Sequence, residues 1–179
     1  HPPATPAAQP ASAARRHYVA PTEDAAATKE LARLAAGAKT AFMPQGGLAP
    51  GFIGIVAHHL AKGFDSLADV KMRVGALPAF PTNALKYNLT WSVDGLINEY
   101  CNPCEAFHNG RRIELLPLEG LEHFDLDGVR YEAFNPSGGL GTLAETLASP
   151  VRHLNTKPVA YPGNASPPAS HLTSRRPRP

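Results

Sequence analysis

The sequence predicts an α/β fold in which a mixed sheet carries helices on one face, and three observations predict it. Hydrophobic residues make up 43% of the 179 residues and charged residues 18%, a balance that lets the middle of the chain bury a core. Apolar and polar residues alternate with period two in several short runs, as half-buried strands require. Runs with helical spacing lie between those strands, so sheet and helix share one contiguous block.

The elements follow in order. Residues 1–16 hold Pro2, Pro3, Pro6 and Pro10 among alanines and have no periodicity. Residues 164–179 are similarly rich in proline and arginine. Neither end has enough apolar surface to offset its ordering entropy, and both are expected to be disordered. Thr22, Glu23 and Asp24 place a capping hydroxyl and two acids before an alanine-rich run to Ala36, which Gly37 ends: a helix. Thr40–Met43 reads as a short strand and Pro44–Gly51 as a glycine-rich loop. Phe52, Ile53, Ile55, Val56 and Leu60 have helical spacing. Val70, Met72 and Val74 alternate with Lys71 and Arg73 in a strand. Leu85, Tyr87, Leu89 and Trp91 alternate in the same way, and a strand is expected over Leu85–Trp91. A helix is expected at Val93–Tyr100, strands at Arg111–Leu115 and Val129–Phe134, and a helix at Leu140–Leu147. A last strand is expected at Thr156–Tyr161, weakened by Pro158.

A formal net charge of only +2 gives no reason to expect a nucleic-acid partner. No apolar run approaches the roughly 18–20 residues that span a bilayer, so no membrane partner is expected. No secretory signal is visible, and two cysteines make no disulfide scaffold; a reducing, cytoplasmic setting is expected.

The motifs admit plain readings beside chemical ones. The turn Gly46-Gly47-Leu48-Ala49-Pro50-Gly51 opens a helix and could bring backbone N–H groups to an anion or a nicotinamide carboxamide, or be an ordinary tight connection. It is neither G-x-G-x-x-G nor a P-loop. Cys101-Asn102-Pro103-Cys104 is a lone CxxC, read first as structural, with thiol redox chemistry and metal binding as alternatives. His58 and His59 are adjacent on a helix and face different directions, so they cannot chelate one ion. There is no H-E-x-x-H and no G-x-S-x-G. No metal site is expected.

Several runs, in order, resemble the saccharopine-dehydrogenase-like enzymes. They are Met43-Pro44-Gln45-Gly46-Gly47-Leu48-Ala49-Pro50-Gly51-Phe52-Ile53; Lys71-Met72-Arg73-Val74-Gly75-Ala76-Leu77-Pro78; Asn83 through Ser92; Asp94 through Tyr100; Tyr131-Glu132-Ala133-Phe134; and Tyr161-Pro162-Gly163. The likeness covers about residues 17–163. It implies the tail of a Rossmann domain over 17–50 and a substrate-binding, dimer-forming domain over 51–163. It implies an NAD(P)-dependent oxidoreductase that acts on the CH–NH or CH–NH2 group of an amino acid of the saccharopine or lysine type. NAD or NADP would be the cofactor, and the intact protein would be a homodimer in lysine metabolism. By the same likeness, Leu48, Ala49, Pro50, Trp91 and Ser92 would line the cofactor, and His17, Tyr18, Asn135, Pro136 and Ser137 would touch substrate.

The sequence also departs from that pattern. Ala49 stands where some relatives have an acid, and Gly46 where others have cysteine. Ala160 replaces an arginine, a bidentate carboxylate anchor, and Asn164 replaces a histidine. No G-x-G-x-x-G precedes residue 17. A truncated member is therefore expected, inactive alone because the phosphate-binding helix start lies elsewhere. A non-catalytic dimerisation or interaction module is the alternative.

Overall fold

The computed structural model describes residues 8, 15–21, 25–83, 86–89, 93–136, 140–147 and 150–164. The expected disorder at the two ends lies almost wholly outside these residues. The chain folds as two compact units, each assembled from three segments. The first takes His1–Met72, Cys104–Glu114 and Gly138–Thr156; the second takes Arg73–Pro103, Leu115–Ser137 and Lys157–Pro179.

The first unit begins with a parallel pair. Strands β1 (Tyr18–Val19) and β2 (Phe42–Met43) match Tyr18 to Phe42 and Val19 to Met43, and helix α1 (Ala25–Ala35) connects them. Such a parallel pair needs a crossover, and α1 supplies it. Leu31 of α1 is fully buried. Helix α2 (Phe52–Ala61) follows, then strand β3 (Asp69–Val74), strands β4 (Cys104–His108) and β5 (Arg111–Leu115), the single turn α4 (Leu143–Thr146), and the start of β8 (His153–Ala160). Strand β4 lies between β5 and β8, antiparallel to β8, with Phe107 opposite Leu154. The core forms on the face that these two residues share. Met72, Leu140, Leu143, Val151 and Leu154 are buried there, and Ile53 and Ala57 of α2 pack onto them. In this unit α2 and α4 thus cover the core-bearing face of the strands, as the patterning predicts.

The second unit holds α3 (Val93–Cys101), β6 (Glu122–Leu126), β7 (Val129–Ala133) and the end of β8. Strands β6 and β7 pair antiparallel from Glu122↔Ala133 to Leu126↔Val129, and β7 pairs with β8 through Glu132↔Ala160 and Ala133↔Val159. Ala133 and Phe134 are buried, and the Tyr100 ring tilts against Phe134 at 5.8 Å. Tyr131 stacks on Tyr161 at 5.7 Å.

Two expectations fail for local reasons. The described residues Lys86–Leu89 are not a strand. Lys86 has φ 51°, and the Asn83 side chain donates to Tyr87 O at 2.7 Å and accepts from Tyr87 N–H at 3.2 Å. This Asn-centred turn takes the backbone groups that a sheet ladder would use. The helix expected over Leu140–Leu147 shrinks to Leu143–Thr146. Gly141 at φ 62° prevents an earlier start, and Leu147 is already extended at ψ 126°.

Candidate functional site

The glycine loop joins β2 to α2 and is built by its own backbone. Gly51 sits at φ 135°, ψ −104°, where a Cβ would lie 2.2 Å from Gly47 O and 2.7 Å from Gln45 O. Only glycine fits there. Helices ordinarily leave their first four N–H groups without partners. Here Phe52 N–H donates to Gly47 O at 2.9 Å and Ile53 N–H to Leu48 O at 3.0 Å. Gly54 and Ile55 N–H both donate to Gly51 O, at 3.0 and 3.2 Å. The start of α2 is therefore capped by the loop itself. Those donors are unavailable to a phosphate, and this end of the helix does not fit a pyrophosphate. What the loop offers outward is apolar: Leu48 is 53% exposed, beside the half-buried Ala49 and Pro50. Such a surface suits the face of a ring rather than an anion.

His17 and Tyr18 lie elsewhere in this unit. Tyr18 N–H donates to Ala41 O, so both residues stand at the start of the β1–β2 pair. The glycine loop leaves the opposite, C-terminal end, where Gly46 N–H donates to Ala20 O. His17 Nδ1 accepts the Ala41 N–H at 3.0 Å, and Tyr18 tilts against Phe42 at 5.9 Å. Trp91, Ser92 and Ser137 lie outside the described residues.

Within the second unit, Asn135 is 4% exposed and Pro136 half-buried. Asn135 N–H donates to Glu119 O, its carbonyl accepts from Leu118 N–H, and Nδ2 donates to Leu116 O at 3.3 Å. This fixes the loop before β6. Beside it lies a charged triplet that the sequence reading did not single out. Both Arg73 donor arms hold Glu122: Nε meets Oε1 in a very short bond, and Nη2 meets Oε2 at 2.9 Å. Lys157 Nζ donates to Glu122 Oε2 at 3.2 Å and to the Gly120 carbonyl. A Cβ on Gly120 would lie 3.0 Å from Asn135 Oδ1 and 3.3 Å from Lys157 Nζ, so Gly120 is wedged between them. The triplet carries two positive charges and one negative. Lys157 is only 8% exposed, and a buried lysine needs partners of this kind. The available signal was weak: Lys157 follows alternation onto a face no other charge marks.

Burial acts to raise the Glu122 pKa, but the hydrogen bonds and charge of Arg73, then of Lys157, outweigh it and hold the carboxyl below its ordinary range. A lowered carboxylate pKa means stability that is present above the ordinary glutamate range and lost as pH falls through the folded-state value. Glu122→Gln is expected to cost about 1–2 kcal/mol at pH 7, modest because about a third of the side chain faces water. Thermal melts should show that difference closing below about pH 4. A difference that persists unchanged at pH 3 would refute the ion-pair account.

A buried carboxylate closes the C-terminal turn. Glu132 is 2% exposed and accepts the Gly163 N–H at 2.9 Å, while Asn164 Nδ2 donates to Tyr161 O at 2.8 Å. Ala160, at the place of an expected arginine, is buried opposite Glu132. Cys101 is exposed at the end of α3, Cys104 is buried on β4, and neither is in a disulfide. Among the described residues no group of three or more His, Cys, Asp or Glu is placed to hold a metal, and no helix is long and apolar enough to cross a membrane.

Comparison with known proteins agrees with this architecture. An apo, histidine-tagged saccharopine dehydrogenase (L-Glu forming) from Saccharomyces cerevisiae shares the fold, with a TM-score of 0.67 at 18% identity. The match covers 88% of this chain and 38% of that one, so the chain spans just over a third of that protein's length. The family model for the saccharopine dehydrogenase C-terminal domain matches residues 47–166, from the glycine loop past the turn that Glu132 holds. That match takes in about two thirds of the sequence, and the chain belongs to the saccharopine dehydrogenase C-terminal domain family.

Proposed function

We propose that this chain is the substrate-side part of an NAD(P)-dependent oxidoreductase that acts on the CH–NH or CH–NH2 group of an amino acid of the saccharopine or lysine type. Family membership over residues 47–166 carries the reading. Two features of the chain support it. The apolar Leu48–Pro50 loop, with its helix start already capped, suits a nicotinamide ring rather than a phosphate. The Arg73–Glu122–Lys157 triplet places a guanidinium and an ammonium beside Asn135, donor types that suit a carboxylate-bearing amino acid. A bound nicotinamide nucleotide would accept or supply the hydride. The protein's own part is to orient the substrate carbon and to exclude water. His17, Tyr18, Pro136, Trp91, Ser92 and Ser137 keep the cofactor or substrate roles that family resemblance implies, and the intact protein would be a cytoplasmic homodimer.

A second reading, a non-catalytic dimerisation or interaction module, draws on one observation. Helix α2 packs the half-buried Ile53 and Ala57 onto the core but exposes Phe52, Ile55 and Leu60 at 59%, 65% and 61%. Contiguous exposed apolar surface of this kind marks interaction sites. One set of experiments separates the two. The chain is assayed with saccharopine or lysine and NAD or NADP, alone and joined behind a nucleotide-binding segment from a relative, with absorbance of the reduced cofactor followed. The first reading expects no turnover alone and turnover in the joined protein. Lack of turnover in the joined protein with every amine tried, together with a stable dimer by light scattering, would favour the second.

A further inference from the structure

His108 and His153 face each other across the β4–β8 pair of the first unit. The register Phe107↔Leu154 places His108 directly opposite His153, and their ring centroids lie 4.7 Å apart at an interplanar angle of 55°. Neither ring belongs to the core, which lies on the face of Phe107 and Leu154. His108 is exposed and His153 half-buried, so solvent ions reach the pair.

We infer that these two histidines form a two-point chelate for a late first-row divalent cation. The geometry carries the inference. A metal–imidazole nitrogen bond is about 2.0–2.1 Å, and the ring centre lies about 1.1 Å further out. Two imidazoles on one ion then have centroids about 4.5 Å apart at a right angle and about 5.2 Å apart at the tetrahedral angle. The observed 4.7 Å falls between these values, so the ring centres already stand at the separation such a chelate needs, and rotation about the side-chain bonds is what would aim the nitrogens at one ion.

The backbones are already fixed. His108 ends β4 immediately before Asn109-Gly110, whose φ values of 50° and 73° make a tight two-residue hairpin turn, and Gly110 N–H donates to Arg152 O at 2.9 Å. His153 N–H donates to Ala68 O at 3.1 Å. Two ligands leave the remaining coordination positions to water. Arg111 follows the turn, and Arg152 precedes His153 and pairs with Asp69 at 3.6 Å. Their positive charge weakens binding of any divalent cation alike, and the imidazole ligands set the order, Cu2+ ahead of Ni2+ and Zn2+.

The test uses the full chain titrated with Cu2+ and with Ni2+ by calorimetry, beside His108→Asn, His153→Asn and a His1→Ala control. The control matters because His1 and its α-amine can bind Cu2+ on their own. A second point of attachment strengthens binding by about 10²–10⁴-fold, so each single Asn variant is expected to weaken the tighter event by about a hundredfold. The control is expected to leave that event unchanged. Substoichiometric Cu2+ should broaden amide resonances around residues 106–110 and 152–155 first, a readout that does not depend on variant folding. Affinity within twofold of wild type in both Asn variants, loss of the tight event in His1→Ala, or broadening confined to the N-terminus would each overturn the inference.

Discussion

Leu154→Ala is expected to cost about 4 kcal/mol and to lower the melting temperature by roughly 10 °C. Leu154 is fully buried, faces Phe107 across β4–β8, and lies in one cluster with Met72, Leu143 and Val151. Replacing it with alanine loses the transfer energy of three carbon groups and leaves a cavity. Its neighbours cannot easily collapse into that space, because they are held by three strands and two helices. Against a typical total of about 5–15 kcal/mol, this would remove between about a quarter and most of the molecule's stability. Urea melts give the value directly. A loss below about 1 kcal/mol would mean that Leu154 is not at the centre of this core.

The second large effect is expected at Gly51. A methyl group there would press on Gly47 O, Gly47 N and Gln45 O, all within 2.8 Å and all backbone. The φ of 135° adds strain of its own. Gly51→Ala is expected to destabilise by about 3 kcal/mol or more, and to release the carbonyls that cap α2. Gly54 is an internal control three residues away. A Cβ there meets nothing within 4 Å, and the residue lies inside α2, so Gly54→Ala should stabilise by about 0.5–1 kcal/mol. Opposite signs for the two substitutions in one denaturation series would establish the loop geometry. A neutral Gly51→Ala would refute it.

How far the fold was legible depends on the range of the forces that decide each element. Helix α2 and strand β3 are written in their own periodicity, and both appear within a residue or two of the expected bounds. Strands β4 and β6 were not expected from alternation, although each is the first arm of a hairpin. Their turns, Asn109-Gly110 and Asp127-Gly128, have both residues at positive φ and are among the strongest local hairpin signals; reading outward from them would have found both strands. The run around Tyr87 misled for the opposite reason. Its alternation is real, but one asparagine side chain four residues earlier outcompetes any ladder. Within the site, Asn135 was reached only through family resemblance, and the triplet of Arg73, Glu122 and Lys157 was not reached at all. These three are separated by up to 84 positions, and no local pattern links them.

The two tight hairpins also set a timetable for the folding reaction. β4–β5 and β6–β7 each close across two residues, which takes on the order of 1–10 μs. Strand β8 instead has to find partners in β3, β4 and β7, all much earlier in the chain, and pays the closure entropy of long loops to do so. The hairpins are therefore expected to form as early local nuclei, with annealing of β8 as the slow, rate-setting event. Substitutions in β8 should alter the refolding arm of a chevron more than those at either hairpin tip.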